Sequence, residues 1–281
     1  RSFYNQPTWK KLLIVLAGPV FNFLLAVVIF IIVYMYGLPN LVPVIGEMSV
    51  DSAAAASGIM KGDTIVSLND QKITYWDEIK PIITKGKDRE VKVVVERGGE
   101  SKTFTVKPKI TRTKNIFGEE ESTYLIGVSP SGKTVIERKN PVQAVISSFE
   151  KTWEISKLTV ISVVKMIEGV ISPRTLGGPI FIAQVAGAQV KEGLIPFILF
   201  MAVLSINLGV INLFPIPVLD GGHIFFYLIE MVTRREIPLK VKEWSQQIGF
   251  VFLVMLMLFV IMIDIERLDI KPINDVLKFF K

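Results

Sequence analysis

From Leu12 to Tyr36 the chain runs without one charged residue, directly after Lys10 and Lys11. As a helix this stretch would be about 37 Å long at about 1.5 Å per residue, enough to cross a bilayer with some tilt. Two further apolar runs cover about Leu194 to Leu219 and about Trp244 to Ile263. The core of the last, Phe250 to Val260, is apolar on every helical face, which water does not tolerate and lipid does. Three spans are therefore expected in an integral membrane protein, in keeping with 50% hydrophobic residues. Lys10 and Lys11 precede the first span, and Arg234, Arg235, Lys240 and Lys242 lie between the second and third. Basic flanks mark the cytoplasmic side, so the long middle region faces outward.

The absence of cysteine excludes disulfides, thiolate metal sites and a cysteine nucleophile. The net charge of +6 is spread along the chain, with no basic–aromatic tract of the kind that binds nucleic acid. The chain begins at Arg1 rather than Met, with no signal peptide before the first run, and reads as a piece of a longer protein.

Between the first two spans the pattern changes. Alternation in Asp63–Asn69 and Glu90–Arg97 predicts strands, Gly98-Gly99 a tight turn, and Ser101–Val106 the returning arm of a hairpin. A short helix is expected over Tyr75–Lys85. From Pro141 to about Val170 apolar residues recur at helical spacing. Lys157, Lys165 and Glu168 make that stretch a poor span, and it reads as an amphipathic helix at the membrane surface or against the small domain.

The chemistry is expected in Asn207-Leu-Gly-Val-Ile-Asn212-Leu-Phe-Pro215-Ile-Pro217-Val-Leu219-Asp220-Gly221-Gly222-His223. Two prolines spaced by one residue cannot sit inside a regular helix, so the span should open there into extended backbone. Lipid cannot satisfy the freed carbonyls; protein or a wet cavity must. Asp220 adds an ionisable group near the end of a span, where such residues mark function more often than packing. Taken singly, Asp220 also suits a helix cap, and Asn207 and Asn212 suit hydrogen bonds between helices.

Asn212-Leu-Phe-Pro215-Ile-Pro217-Val-Leu-Asp220-Gly221 resembles the Asn-x-x-Pro-x-Pro-x-Leu-Asp-Gly signature of site-2 proteases. Gly18-Pro-Val-Phe-Asn22 is similar to that family's Gly-x-x-x-Asn element, and Gly178-Pro179-Ile180 to its Gly-Pro-Ile element. Ser57-Gly-Ile-Met-Lys-Gly-Asp63-Thr-Ile is similar to the turn of bacterial PDZ domains. The likeness runs from about Phe3 to Leu268 and is closest to the bacterial proteases that release envelope-stress sigma factors, with one PDZ unit.

The resemblance implies a membrane α-helical bundle with three visible spans and an inserted α+β PDZ-like domain. Its parts would be a first span (1–40), a PDZ-like extracytoplasmic domain (41–110), and an extracytoplasmic linker with a membrane-surface helix (111–192). A broken span (193–223), a cytoplasmic helix and loop (224–243), a last span (244–264) and a tail (265–281) would follow. It implies zinc as cofactor, with Asp220 as one ligand and two histidines of a His-Glu-x-x-His helix as the others. No such motif is present, and His223 is the sole histidine. The missing helix is expected before Arg1, and the chain alone should be inactive.

The resemblance further implies that Asn212, Pro215, Pro217 and Leu219 hold the substrate, with Asn207, Asn212 and Asn22 supporting catalysis. Gly18, Gly221 and Gly222 would be structural. The substrate would be a single-pass membrane protein such as an anti-sigma factor, already trimmed by an upstream site-1-type protease, in the bacterial inner membrane. The rival readings are a catalytically dead relative that binds a membrane partner through its PDZ-like domain, and a small transporter or channel.

Overall fold

A computed structural model describes residues 6–49 and 51–268; the expected tail beyond 268 lies outside the described residues. The chain divides into two compact units, 36–139 and the remainder. In chain order, helix α1 (Thr8–Tyr36) leads into strands β1 (Leu38–Leu41) and β2 (Ile45–Met48) and the single turn of α2 (Ala53–Ala56). Strands β3 (Thr64–Leu68) and β4 (Gln71–Lys72), helix α3 (Ile79–Gly86), and strands β5 (Val91–Arg97) and β6 (Glu100–Val106) follow. The sheet-rich unit closes with β7 (Lys109–Lys114), β8 (Glu120–Leu125), β9 (Val128–Pro130) and β10 (Thr134–Glu137). Helices α4 (Pro141–Ile167), α5 (Pro179–Glu192), α6 (Leu194–Asn212), α7 (Asp220–Thr233) and α8 (Leu239–Arg267) complete the chain.

In the sheet-rich unit the four-stranded order is β4-β3-β5-β6. Gly98 and Gly99 take φ of 60° and 85°, the left-handed pair that lets a two-residue turn follow the twist of the β5–β6 hairpin. Inward-facing Ile65, Leu68, Val91, Val93, Val95 and Val106 form its core with Ile59 and Ala54. Ala54 and Ile59 are thus core residues, and Ala55 is half-buried. The unit extends beyond 41–110 because its ends pair with each other. β1 runs antiparallel to β10, β2 to β9, and β7 to β8. Residues 111–137, expected in a linker, belong to this unit and supply its strands β7 to β10.

One ion pair fixes its glycine turn. Asp63 is 1% exposed and accepts from Arg97 Nε and Nη2, each at 2.7 Å, and from the Met60 N–H at 2.9 Å. Arg97 also donates to the Gly58 carbonyl and lies over the Phe104 ring. Burial pushes the Asp63 carboxyl up. The Arg97 hydrogen bonds, the Met60 amide and the charges of Arg97 and Lys102 outweigh it, and hold the group below the usual carboxylate range.

In the helical unit, α1, α6 and α8 are each long and apolar enough to cross a membrane. α8 outruns its apolar core because the polar residues at both ends, Lys240–Glu243 and Asp264–Arg267, continue the helix. Ala26 and Phe30 of α1 pack against Ala202, Ile206 and Val210 of α6, with Ile155 of α4 joining them. α4 begins on a cap in which the Gln143 N–H donates to Asn140 Oδ1 at 2.9 Å, with Pro141 first in the helix. It packs along α6 rather than standing apart: Thr159 Oγ1 donates to Asn207 Oδ1 at 2.8 Å. Its hydroxyls at Ser148, Thr152, Ser156 and Ser162 each donate to the carbonyl four residues back, so α4 brings few unmet donors to an apolar neighbourhood.

Candidate active site

The second span ends as a helix at Asn212, and a new helix starts at Asp220. The seven residues between are turns, not the extended backbone that the two prolines suggested. Ile216 N–H donates to the Phe214 carbonyl at 2.7 Å, and Leu219 N–H to the Ile216 carbonyl at 2.8 Å. The prolines do break the helix, but the freed chain folds back because α7 is allowed so close. Gly221 and Gly222 are buried, and a Cβ on either would collide with backbone: the carbonyls of Leu213 and Phe214 for Gly221, that of Ile216 for Gly222. From the other side Gly249 of α8 abuts this loop, its Cβ position 3.0 Å from Val218 Cγ2 and 3.4 Å from Pro217 Cδ. Bare backbone on two helices thus shapes the Pro215–Leu219 loop.

That packing places Asp220. It is the first residue of α7, half-buried, where the helix dipole favours a carboxylate. It does not cap α7 with its side chain, since Leu219 holds the cap position and no side-chain cap bond is formed. Its Oδ2 lies 2.9 Å from where a Cβ of Gly18 would stand, so α1 presents backbone to the carboxylate. Among the described residues no hydrogen bond reaches either oxygen of Asp220. Asn22 lies one turn from Gly18. Its carbonyl accepts from Ser205 Oγ at 2.8 Å, and its Cβ lies 3.3 Å from the Cβ position of Gly209. This joins α1 to α6 just above Asp220.

Of the expected site residues, the structure gathers Gly18, Asp220, Gly221, Gly222, Pro215, Pro217 and Leu219 around one break in the bundle. Asn212 closes α6 at its edge. Asn207 sits more than a turn deeper, its oxygen taken by Thr159, which leaves its amide nitrogen to donate. The ring of His223 stacks on Tyr227 at 6.5 Å between centroids.

Zinc sites need three or four N, S or O ligands in tetrahedral array. Among the described residues no three of His, Cys, Asp and Glu come together to hold a metal. Asp220 fits as one carboxylate ligand; these residues do not complete a site by themselves.

Sequence reasoning missed Asp264. It is 2% exposed and accepts from the backbone N–H groups of Gly178, Ile180 and Phe181, each at 3.0 Å. A residue of α8 therefore caps α5, satisfying donors that α5 leaves open. Gly178 is required there, since a Cβ would meet Asp264 Oδ2 at 2.5 Å. Arg267 closes the joint, its guanidinium 4.9 Å from the Phe181 ring and donating to the Arg174 carbonyl. The signal in the sequence is an acid placed directly after an apolar run, facing the Gly177-Gly178-Pro179 element.

The sequence profile of peptidase family M50 matches residues 1–256. The chain belongs to peptidase family M50. Among its M50 relatives, a protein of Campylobacter jejuni described as a zinc metalloprotease is 35% identical over 259 residues, covering 92% of this chain and 70% of that protein. A protein of Rhizobium meliloti with the same description is 32% identical over 272 residues, covering 95% of this chain and 73% of that protein. The regulator of sigma-E protease of Salmonella typhimurium is 35% identical over 235 residues, covering 82% of this chain and 51% of that protein. The chain thus spans about half the length of this last relative.

Proposed function

We propose that this M50 chain supplies one wall of the active site of an intramembrane zinc protease. The observation that carries the proposal is the Asp220 carboxylate, held against the bare backbone of Gly18 at the break between α6 and α7. Asp220 would be one zinc ligand. The other two would be histidines from outside these 281 residues, in which His223 is the sole histidine. Zinc, when bound, would activate the water that attacks the peptide bond. This chain's residues would do the rest. The Pro215–Leu219 loop, with Leu219 at the mouth of α7, would hold an unwound stretch of substrate against the site. Asn212, and the amide nitrogen of Asn207, would donate to substrate carbonyls, as oxyanion donors do. Asn22 would keep α1, and with it Gly18, in register with α6.

The substrate class that fits is a single-pass membrane protein such as an anti-sigma factor, delivered after trimming by a site-1-type protease. The PDZ-like unit 36–139, on the extracytoplasmic side of a bacterial inner membrane, would act as the size filter. The test is to co-express the full-length protein with a trimmed single-pass substrate and map the cut by mass spectrometry. A cut inside the apolar segment, stopped by 1,10-phenanthroline, is expected. A cut outside the bilayer, or one indifferent to the chelator, contradicts the proposal. Binding without any cut favours a dead relative.

A further inference from the structure

The helical unit holds a groove of about 670 Å³ that none of the roles above uses. Its walls are Phe23 of α1, Trp153, Val160 and Ile161 of α4, and Leu213 and Phe214 at the end of α6. We propose that this groove receives large apolar side chains of the polypeptide being cut, and so sets which residues are accepted beside the scissile bond. The proposal rests on the protease reading above.

Position comes first. Leu213 and Phe214 open the same break that ends at Asp220, so the groove is continuous with the loop assigned to the substrate. Phe23 lies five residues above Gly18 on α1, about 7.5 Å of helical rise. A strand lying along the loop would therefore pass the groove within a few residues of the carboxylate.

The chemistry of the walls defines the occupant. Two hydroxyls and the exposed Lys157 line the groove, and both hydroxyls are spent: Thr152 Oγ1 donates to the Ser148 carbonyl and Ser156 Oγ to the Thr152 carbonyl, each at 2.7 Å. Away from Lys157 the groove thus rewards bulk and apolarity and leaves a polar side chain desolvated without a partner.

The occupant is polypeptide rather than lipid tails because of what borders the groove. Glu150, Lys151, Glu154 and Lys157 put four charges into eight residues of α4. Each such charge is costly at the centre of a lipid-facing helix. α4 is accordingly not among the helices apolar enough to span. Yet Phe149 and Trp153, one turn apart on the same helix, are 57% and 73% exposed. Exposed large aromatics are the side chains in which surfaces that meet another chain are enriched.

The test uses full-length protein in membranes, with two substrates differing at one position beside the scissile bond, leucine or alanine. Ser156→Trp, which fills the groove, should lower kcat/KM for the leucine substrate about ten- to a hundredfold while sparing the alanine one. Val160→Ala, which enlarges the groove, should shift preference toward phenylalanine, and it guards against a Ser156→Trp protein that fails to fold. A photo-crosslinking residue at position 160, in an Asp220→Ala background, should capture the substrate. Unchanged preference in both variants, with Asp220 still essential, overturns the groove and leaves the protease reading standing. So does a crosslink only to lipid or to another segment of the same polypeptide. An unsubstituted protein that cuts neither substrate ends the protease reading and this proposal with it.

Discussion

Asp220→Ala in the full-length protein is expected to lower cleavage of a membrane substrate by at least about a thousandfold, the scale lost when a metal centre or nucleophile is dismantled. The expectation comes from geometry. Asp220 contributes no cap bond to α7 and no hydrogen bond to a neighbour among the described residues, so the bundle does not depend on it. Its removal should leave the α6–α7 break intact, because Gly221, Gly222 and Gly249 shape the loop. Activity and stability should therefore separate: cleavage lost, thermal unfolding in detergent nearly unchanged. Asp220→Asn, which keeps the shape and removes the charge, should lose nearly as much activity. A variant that retains cleavage within tenfold of the unsubstituted protein would remove Asp220 from the chemistry.

Asp63→Ala has the opposite profile, large in stability and remote from the bond being cut. It strips the buried partner of Arg97, frees the Met60 amide and unties the Gly58–Gly62 turn from β5. Breaking a buried, doubly hydrogen-bonded ion pair costs about 3 kcal/mol. Amide hydrogen exchange at Ile65, Val93 and Val95 in the whole chain should accelerate about a hundredfold, while amides of α1 and α6 stay protected. The pair also carries a pH signature. The Asp63 carboxyl titrates lower folded than unfolded, so its contribution is complete above the unfolded value of about 3.9 and is lost as pH falls through the folded one. Asp63→Asn should therefore flatten the loss of strand protection below about pH 4. Equal acid sensitivity in the two proteins would contradict this assignment.

The spans are legible in the sequence because lipid demands a charge-free run and nothing else in a chain of this size does. The break at Pro215 and Pro217 is legible for the same kind of reason, since one residue type removes a donor. What the break becomes is not. Extended backbone is the local expectation, and turns are the outcome, because Gly221, Gly222 and Gly249 admit neighbours that only the packed structure brings near. The limits of the sheet-rich unit escape for a related reason: β1 finds β10 about a hundred residues away, so the segment from 111 reads as linker until its partner strands are known. Asp63–Arg97 and Asp264–Gly178 are likewise pairings across long separations. α4 is legible only in part. Lys157, Lys165 and Glu168 argue for a surface helix, and the bond of Thr159 to Asn207 of a span is a contact that only the packed structure brings out. Asn207 then reads as glue through its oxygen and as a donor through its nitrogen, and both parts of its sequence-level ambiguity survive.

Whether Asp220 holds metal is the claim on which the rest turns. The direct measurement is zinc content, by inductively coupled plasma mass spectrometry, of the full-length protein and its Asp220→Ala variant purified in parallel. About one zinc per polypeptide in the first and a large fall in the second is the result predicted. Equal zinc in both, or none in the unsubstituted protein, would contradict it.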